Sequence, residues 1–172
     1  MTTLTSTTEI GLRRPEFRDG FPIHQLIQQS PPLDLNSVYN YHLLTHHFAD
    51  TCVVAEAAGS VVGFLSAYLI PGRPDTLFVW QVVVDASQRG LGLAGKMLDA
   101  LLQRPACSGV HYLEATVNPS NGASRRLFER QAQSIGSTLQ EHLFLAAEEF
   151  GPGAGHESEI LLRIPLTNQA NH

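Results

Sequence analysis

The stretch "VWQVVVDASQRGLGLAGKMLDALL", residues 79–102, decides how the rest of the chain is read. It opens inside "LFVWQVVVDA", which is almost continuously apolar and β-branched. Such a run predicts a central strand buried on both faces. It closes in "LAGKMLDALLQR", whose apolar spacing predicts an amphipathic helix. Between them stand Gly90, Gly92 and Gly95, which satisfy three phosphate-loop spellings at once. Gly90, Gly92 and Gly95 spell G-x-G-x-x-G, the dinucleotide fingerprint. Gly90 to Lys96 spells G-x-x-x-x-G-K, the start of a triphosphate loop. Arg89, Gly92 and Ala94 spell R-x-x-G-x-A.

The three spellings make different chemical demands. A triphosphate loop needs a Ser or Thr after the lysine, because that hydroxyl ligates magnesium. Met97 stands there instead, and a thioether cannot replace it. A dinucleotide fingerprint follows its strand directly inside a βαβ unit that opens the domain. Here "DASQR" separates Val84 from Gly90, and earlier strands are predicted, although an acidic residue, Glu114, does follow the loop. The R-x-x-G-x-A spelling, associated with coenzyme A, makes neither demand. It needs consecutive backbone N–H groups at a helix N-terminus, with glycines that let an anion approach. Arg89 adds charge beside the same loop. A glycine-rich turn with no ligand is the bland alternative.

Outward from this loop the chain reads as alternating strands and helices. "EIGLRRP" is a short strand, and "GFPIHQLIQQS" has helical apolar spacing. "PPLDLN" breaks that helix, and Asn36 or Ser37 caps the next, "SVYNYHLLTHHFAD". "TCVVAEAAGSVVGFLSAYLI" reads as a hairpin and "PGRPDT" as a loop. "VHYLEATVN" is a strand, and "PSNGASRRLFERQAQ" is a helix capped near Ser120 or Asn121. "STLQEHLFLA" and "SEILLRIPL" are strands around the loop "EEFGPGAGHE". The predicted order is β-α-α-β-β-β-α-β-α-β-β, which packs as a mixed, mostly antiparallel sheet flanked by helices.

The totals agree with one globular domain. The 172 residues are 43% hydrophobic with a formal net charge of -5, which argues against nucleic acid as a partner. No apolar run is long enough to span a bilayer, and "MTTLTSTTEI" lacks a secretory pattern. Cys52 and Cys107, without C-x-x-C spacing, are expected as buried free thiols. His42 and His46 share an i,i+4 face, but no H-E-x-x-H or cysteine cluster joins them, so no metal is expected.

The order of elements together with the glycine loop resembles the GNAT superfamily of N-acetyltransferases. The opening stretch resembles its fourth strand, acyl-CoA loop and third helix. "LEATVNPSNGASRRLFE" resembles its fifth strand and fourth helix, through N-x-x-N-x-x-A/S-x-x-L-F at Asn118, Asn121, Ser124, Leu127 and Phe128. The resemblance covers residues 8–166 as one domain, leaving residues 1–7 and 167–172 as flexible tails. More specifically, "PPLDLNSVYNYHLLTHHFADTCVVAE" and "HESEILLRI" are similar to the diaminobutyrate acetyltransferases of ectoine biosynthesis. This implies an acyl-CoA N-acyltransferase fold of α/β (α+β) class, with acetyl-CoA as co-substrate. The implied acceptor is the γ-amine of L-2,4-diaminobutyrate, attacking directly in a ternary complex on the way to a compatible solute. A cytoplasmic homodimer without nucleic-acid or membrane partners is implied too. Two alternatives stand beside it: an acetyltransferase for another small amine or a peptide, and a non-catalytic acetyl-CoA-binding module.

The same resemblance implies the site. A backbone N–H of Val83 or Val84 faces the thioester oxygen and stabilises the oxyanion. Val82 and Val84 border the cofactor, and Arg89, Gly90, Leu91, Gly92, Leu93 and Ala94 hold its pyrophosphate. Asn118 contacts the cofactor or ends a strand. Asn121 and Ser124 reach the pantetheine or cap the helix. Phe128 stands where many relatives have a tyrosine that protonates the thiolate, so that acid is missing here; Tyr39 or Tyr41 is a substitute. The amine must lose a proton, and Glu114, Glu157, Glu159 and Asp34 are candidate acceptors. Asp34, Asn36, Tyr39, Trp80, His156, Glu157 and Glu159 are the expected acceptor-site residues. Trp80 is core or faces an ammonium. Glu157 and Glu159 are expected to alternate along the last strand and share a face, in the cleft or in solvent.

Overall fold

The structure is a computed structural model that describes residues 9–166; the expected tails lie outside the described residues. Eleven main elements follow in the expected order: β1 (Ile10–Arg13), α1 (Gly20–Gln28), α2 (Val38–His47), β2 (Val53–Ala57), β3 (Ser60–Ile70), β4 (Arg73–Val84), α3 (Leu93–Leu102), β5 (Tyr112–Val117), α4 (Gly122–Ser134), β6 (Gln140–Leu145) and β7 (Glu159–Pro165). The strands form a seven-stranded sheet in the order β1-β2-β3-β4-β5-β7-β6. The β4–β5 pair is parallel, while β1–β2, β2–β3, β5–β7 and β6–β7 are antiparallel. The described residues group into two compact units, residues 9–65 with Val83–Leu101, and Ser66–Val82 with residues 102–166.

In the first unit one apolar cluster joins Ile23 and Ile27 of α1, Tyr41 and Leu44 of α2, Val54 of β2, Phe64 of β3 and Val83. Ser37, not Asn36, caps α2: its hydroxyl accepts from the Asn40 N–H at 3.2 Å. Asn36 instead donates its own N–H to the Tyr41 hydroxyl at 3.2 Å. Helix α1 starts against α2 at Gly20, where a Cβ would lie 2.5 Å from His42 Nδ1. A similar economy seats α3. Gly63 leaves room for Met97, whose sulfur would be 3.2 Å from any Cβ added there. Met97, which excludes the triphosphate loop chemically, is therefore a fully buried core residue.

In the second unit β5 is the shared strand. Its register with β4 runs from Thr76↔Tyr112 to Val79↔Ala115, and with β7 from Tyr112↔Pro165 to Val117↔Ile160. Buried Leu77, Leu113, Phe128, Ala132, Leu162 and Ile164 fill this unit. Both cysteines are buried free thiols, and burial pushes the Cys107 thiol up.

Two expectations need correction. "PGRPDT" is not a loop: a turn at Pro71 and Gly72 (φ +80°) leads straight into β4 at Arg73. Pro74 is tolerated because the β4–β5 ladder begins only at Thr76. The last strand also starts later than expected. His156, Glu157 and Ser158 precede β7, so Glu157 and Glu159 do not alternate along one strand. Positive φ at Gly151, Gly153 and Gly155 keeps the chain irregular up to that point.

Candidate active site

The glycine loop of the first unit is built from both of its ends. Asp85 extends the β3–β4 hairpin by donating its N–H to the Val62 carbonyl at 2.8 Å. Its carboxylate accepts from the Ser87 hydroxyl and N–H, which hold it below the usual carboxylate range. Arg89 then closes the turn by donating Nε to the Val84 carbonyl at 3.0 Å. Its own N–H points to the Ala86 carbonyl at 3.4 Å, so of the expected cradle Arg89 contributes its side chain more readily than its backbone.

Gly90 and Gly92 adopt φ of +78° and +71°, which only glycine takes without strain. The first rung of α3 is the Lys96 N–H donating to the Gly92 carbonyl at 3.1 Å. The N–H groups of Leu93, Ala94 and Gly95 therefore stand above the first rung, where an α-helix offers no carbonyl. That is an anion-binding terminus, and it fits a pyrophosphate. Gly95 is different, because a Cβ there meets nothing within 4 Å. A dinucleotide fingerprint needs its third glycine for close packing, and no such packing exists here.

In the second unit β4 and β5 part company. Their pairing ends at Val79↔Ala115, while β5 goes on to pair Thr116 and Val117 with β7. Trp80 is the next residue on β4 and is 43% exposed, so core packing does not account for it. Val82 and Val84 are half-buried and Val83 is buried. Glu114 has a different position from that of a waiting base. It is 1% exposed, and both of its oxygens accept from guanidinium groups. Arg73 forks onto it at 3.0 Å through two nitrogens, and Arg163 donates at 2.6 Å. The Glu114 contact holds Arg73 above the usual arginine range. Glu114, a candidate proton acceptor in the sequence, sits in the structure as the centre of a buried ion-pair cluster.

The turn between β5 and α4 gathers several expected residues. Asn121 caps α4 by accepting from the Ser124 N–H at 3.1 Å, and Asn118 accepts the Asn121 N–H at its carbonyl. Glu157 reaches this turn and accepts from the Ser120 hydroxyl and N–H. His156 stacks on Phe150 with centroids 4.7 Å apart. Glu159, half-buried, is the first residue of β7. Phe128 is buried in α4.

The remaining expected acceptor residues belong to the first unit. Asp34 is exposed, Asn36 half-buried, and Tyr39 is 70% exposed on the first turn of α2. Tyr41 is fully buried, and its hydroxyl accepts the Asn36 N–H. His42 is structural: Nδ1 lies 2.9 Å from the Phe17 carbonyl and the ring packs on Phe17. Among the described residues no group of three His, Cys, Asp or Glu side chains is placed to hold a metal. A groove of about 640 Å³ in this unit is lined by Arg13, Asp19, Gln25, Glu56 and Asp85, and by none of the expected site residues. Arg13 there is already held by Asp19 and Glu56.

Ser120, Phe150, Arg73 and Arg163 were not anticipated as partners of site residues. Each pairing spans a long sequence separation or a loop, and no local pattern marks it.

Comparison with known proteins identifies the family. The sequence profile of the acetyltransferase (GNAT) family matches residues 16–133. The L-2,4-diaminobutyric acid acetyltransferase of Bordetella parapertussis is 52% identical over 165 residues, covering 95% of this chain and 88% of the relative. That of Halalkalibacterium halodurans is 44% identical over 162 residues, covering 94% and 84%. Among solved structures, diaminobutyrate acetyltransferase from Paenibacillus lautus, in complex with its substrate L-2,4-diaminobutyric acid and coenzyme A, superposes with a TM-score of 0.90. It is 47% identical, over 95% of this chain and 99% of that one. With a loop that suits an acyl-CoA, a fourth and fifth strand that part, and relatives of this similarity over nearly its whole length, the chain belongs to the acetyltransferase (GNAT) family.

Proposed function

We propose that this chain transfers the acetyl group of acetyl-CoA to the γ-amine of L-2,4-diaminobutyrate, by direct attack in a ternary complex, as a step toward ectoine. The observation that carries this reading is the likeness to the Paenibacillus lautus enzyme, whose complex holds that amine and coenzyme A. In this reading the start of α3 and Arg89 hold the pyrophosphate, with Asn118, Asn121 and Ser124 alongside the pantetheine. A backbone N–H of Val83 or Val84 takes the thioester oxygen. The neutral amine nitrogen attacks the thioester carbon, its proton passes to a base, and the C–S bond breaks to release the thiolate. With Glu114 engaged by two arginines and Glu157 held by Ser120, Glu159 is the favoured proton acceptor, directly or through water. Phe128 offers no hydroxyl, so the thiolate leaves without an acid from α4. Asp34, Asn36, Tyr39, Trp80 and His156 orient the amino acid. A cytoplasmic homodimer is part of this reading; the exposed Leu143 and Phe144 on β6 support an apolar contact surface.

A thiol-release assay with acetyl-CoA and L-2,4-diaminobutyrate tests it, with the product assigned by NMR. Release with acetylation at the γ-nitrogen is expected. No release, or equal rates with lysine and ornithine, overturns the substrate assignment. Acetyl-CoA binding by calorimetry without turnover on any amine points to a non-catalytic module.

A further inference from the structure

The loop between β6 and β7 is held at three points. The Ala147 N–H donates to the Ser158 hydroxyl at 3.0 Å, closing the loop at its base. Phe150 lies on the His156 ring, with planes 21° from parallel. Glu157 accepts from Ser120, through the hydroxyl and through the N–H at 3.3 Å. Between Phe150 and His156 lie Gly151, Gly153 and Gly155, all with positive φ. Three glycines give this segment a large conformational freedom to lose. Something must restrain it if His156, Glu157 and Glu159 are to meet a small substrate in one geometry.

The Ser120 side chain does not cap α4. The N-cap of α4 is Asn121, whose side chain accepts from Ser124. The Ser120 hydroxyl is turned away from the helix, toward Glu157 and the Asn118 side chain. A hydroxyl and an N–H converging on one carboxylate make a charge-assisted anchor.

We propose that Ser120 is a positioning residue for the amine substrate: it anchors Glu157, and so holds the segment His156–Glu159, while Phe150 fixes the plane of His156. This rests on the diaminobutyrate acetyltransferase reading. Without the anchor, the substrate must order the loop as it binds, and that cost appears in amine affinity and not in acetyl-CoA affinity.

Ser120→Ala, Ser120→Thr and the parent are compared by steady-state kinetics with both substrates, and by hydrogen exchange of residues 147–158 in the free protein. Ser120→Ala is expected to raise the amine KM about five- to tenfold and to change the acetyl-CoA KM less than about twofold. Ser120→Thr keeps the hydroxyl and is expected to restore both the amine KM and the exchange protection. An unchanged amine KM in Ser120→Ala overturns the proposal, as do parallel rises in both KM values that Ser120→Thr does not reverse. Unchanged loop exchange in Ser120→Ala overturns it as well, whatever the substrate. A parent protein that acetylates no amine overturns the functional reading itself, which separates the two failures.

Discussion

Arg163 donates to Glu114 at 2.6 Å from the directly paired position on the neighbouring strand, while its guanidinium lies 3.8 Å over the Tyr112 ring. With Arg73 forked onto both oxygens, one of which also accepts from Arg163, one buried carboxylate serves two cations. Removing its charge leaves those cations facing each other across a dry position. Glu114→Gln is therefore expected to lower stability by about 2–3 kcal/mol, toward the low end for a buried pair because Arg73 is half-exposed. Turnover per folded molecule is expected to stay within about threefold. Thermal unfolding and kcat on the same preparation check this. A collapse of kcat at an unchanged melting temperature would return Glu114 to the role of base.

The glycine loop makes a prediction by contrast. Gly92 has φ +71°, and an L-residue held there costs roughly 1–2 kcal/mol. Gly92→Ala is expected to raise the KM for acetyl-CoA, because the loop relieves that strain by moving its N–H groups off the anion. Gly95 lies inside α3 with open space around its missing Cβ. Gly95→Ala is expected to stabilise the helix by up to about 1 kcal/mol and to leave that KM nearly unchanged. Equal damage from both substitutions would show that the missing Cβ of Gly95 is also needed for the anion to approach.

These residues also show what was legible in the sequence. The elements announced themselves through local signals: the β-branched run of β4, the helical spacing of α1 and α3, and the polar residues before α2 and α4. The glycine loop could be sorted by chemistry alone, since Met97 excluded one ligand and "DASQR" weakened another. The role of Glu114 was not legible, because Arg73, Glu114 and Arg163 meet only through strand register. The strand itself was legible to within one residue, since "SEILLRIPL" begins at Ser158 and β7 at Glu159, but the expected alternation of Glu157 and Glu159 fails because Glu157 stays in the loop. The acceptor residues rested on resemblance from the beginning, since no periodicity singles out Asp34 or Trp80.

Close packing between α1 and α2 gives a coupled pair. A Cβ on Gly20 would sit 2.5 Å from His42 Nδ1, and that nitrogen also lies 2.9 Å from the Phe17 carbonyl. Gly20→Ala is expected to cost about 2 kcal/mol, as overpacking does where the neighbour cannot swing away. His42→Ala is expected to cost about 1 kcal/mol for the lost hydrogen bond and packing on Phe17. The double variant should be more stable than the sum of the two losses, because the smaller side chain removes the clash. A double-mutant cycle in urea reads the coupling directly, and additive losses would mean that the helices move apart instead.

Acid should act through Asp19. Its burial opposes ionisation, but Arg13 forks onto both oxygens at 2.7 and 2.9 Å and the Glu16 N–H adds a third bond at 2.7 Å. These outweigh the burial, and the carboxyl lies below its ordinary range. A carboxyl whose folded pKa is lowered stabilises the fold fully above its unfolded value of about 3.9 and loses that contribution as pH falls through the lower, folded value. Asp19→Asn cannot receive the fork as an anion, so it is expected to unfold at lower urea than the parent at about pH 7. The difference between the two should shrink as pH falls below about 4, since the parent gives up this term and the variant has none to lose. Urea midpoints across that range check the sign: a gap that persists undiminished into strong acid would show that Asp19 acts by packing and not by charge.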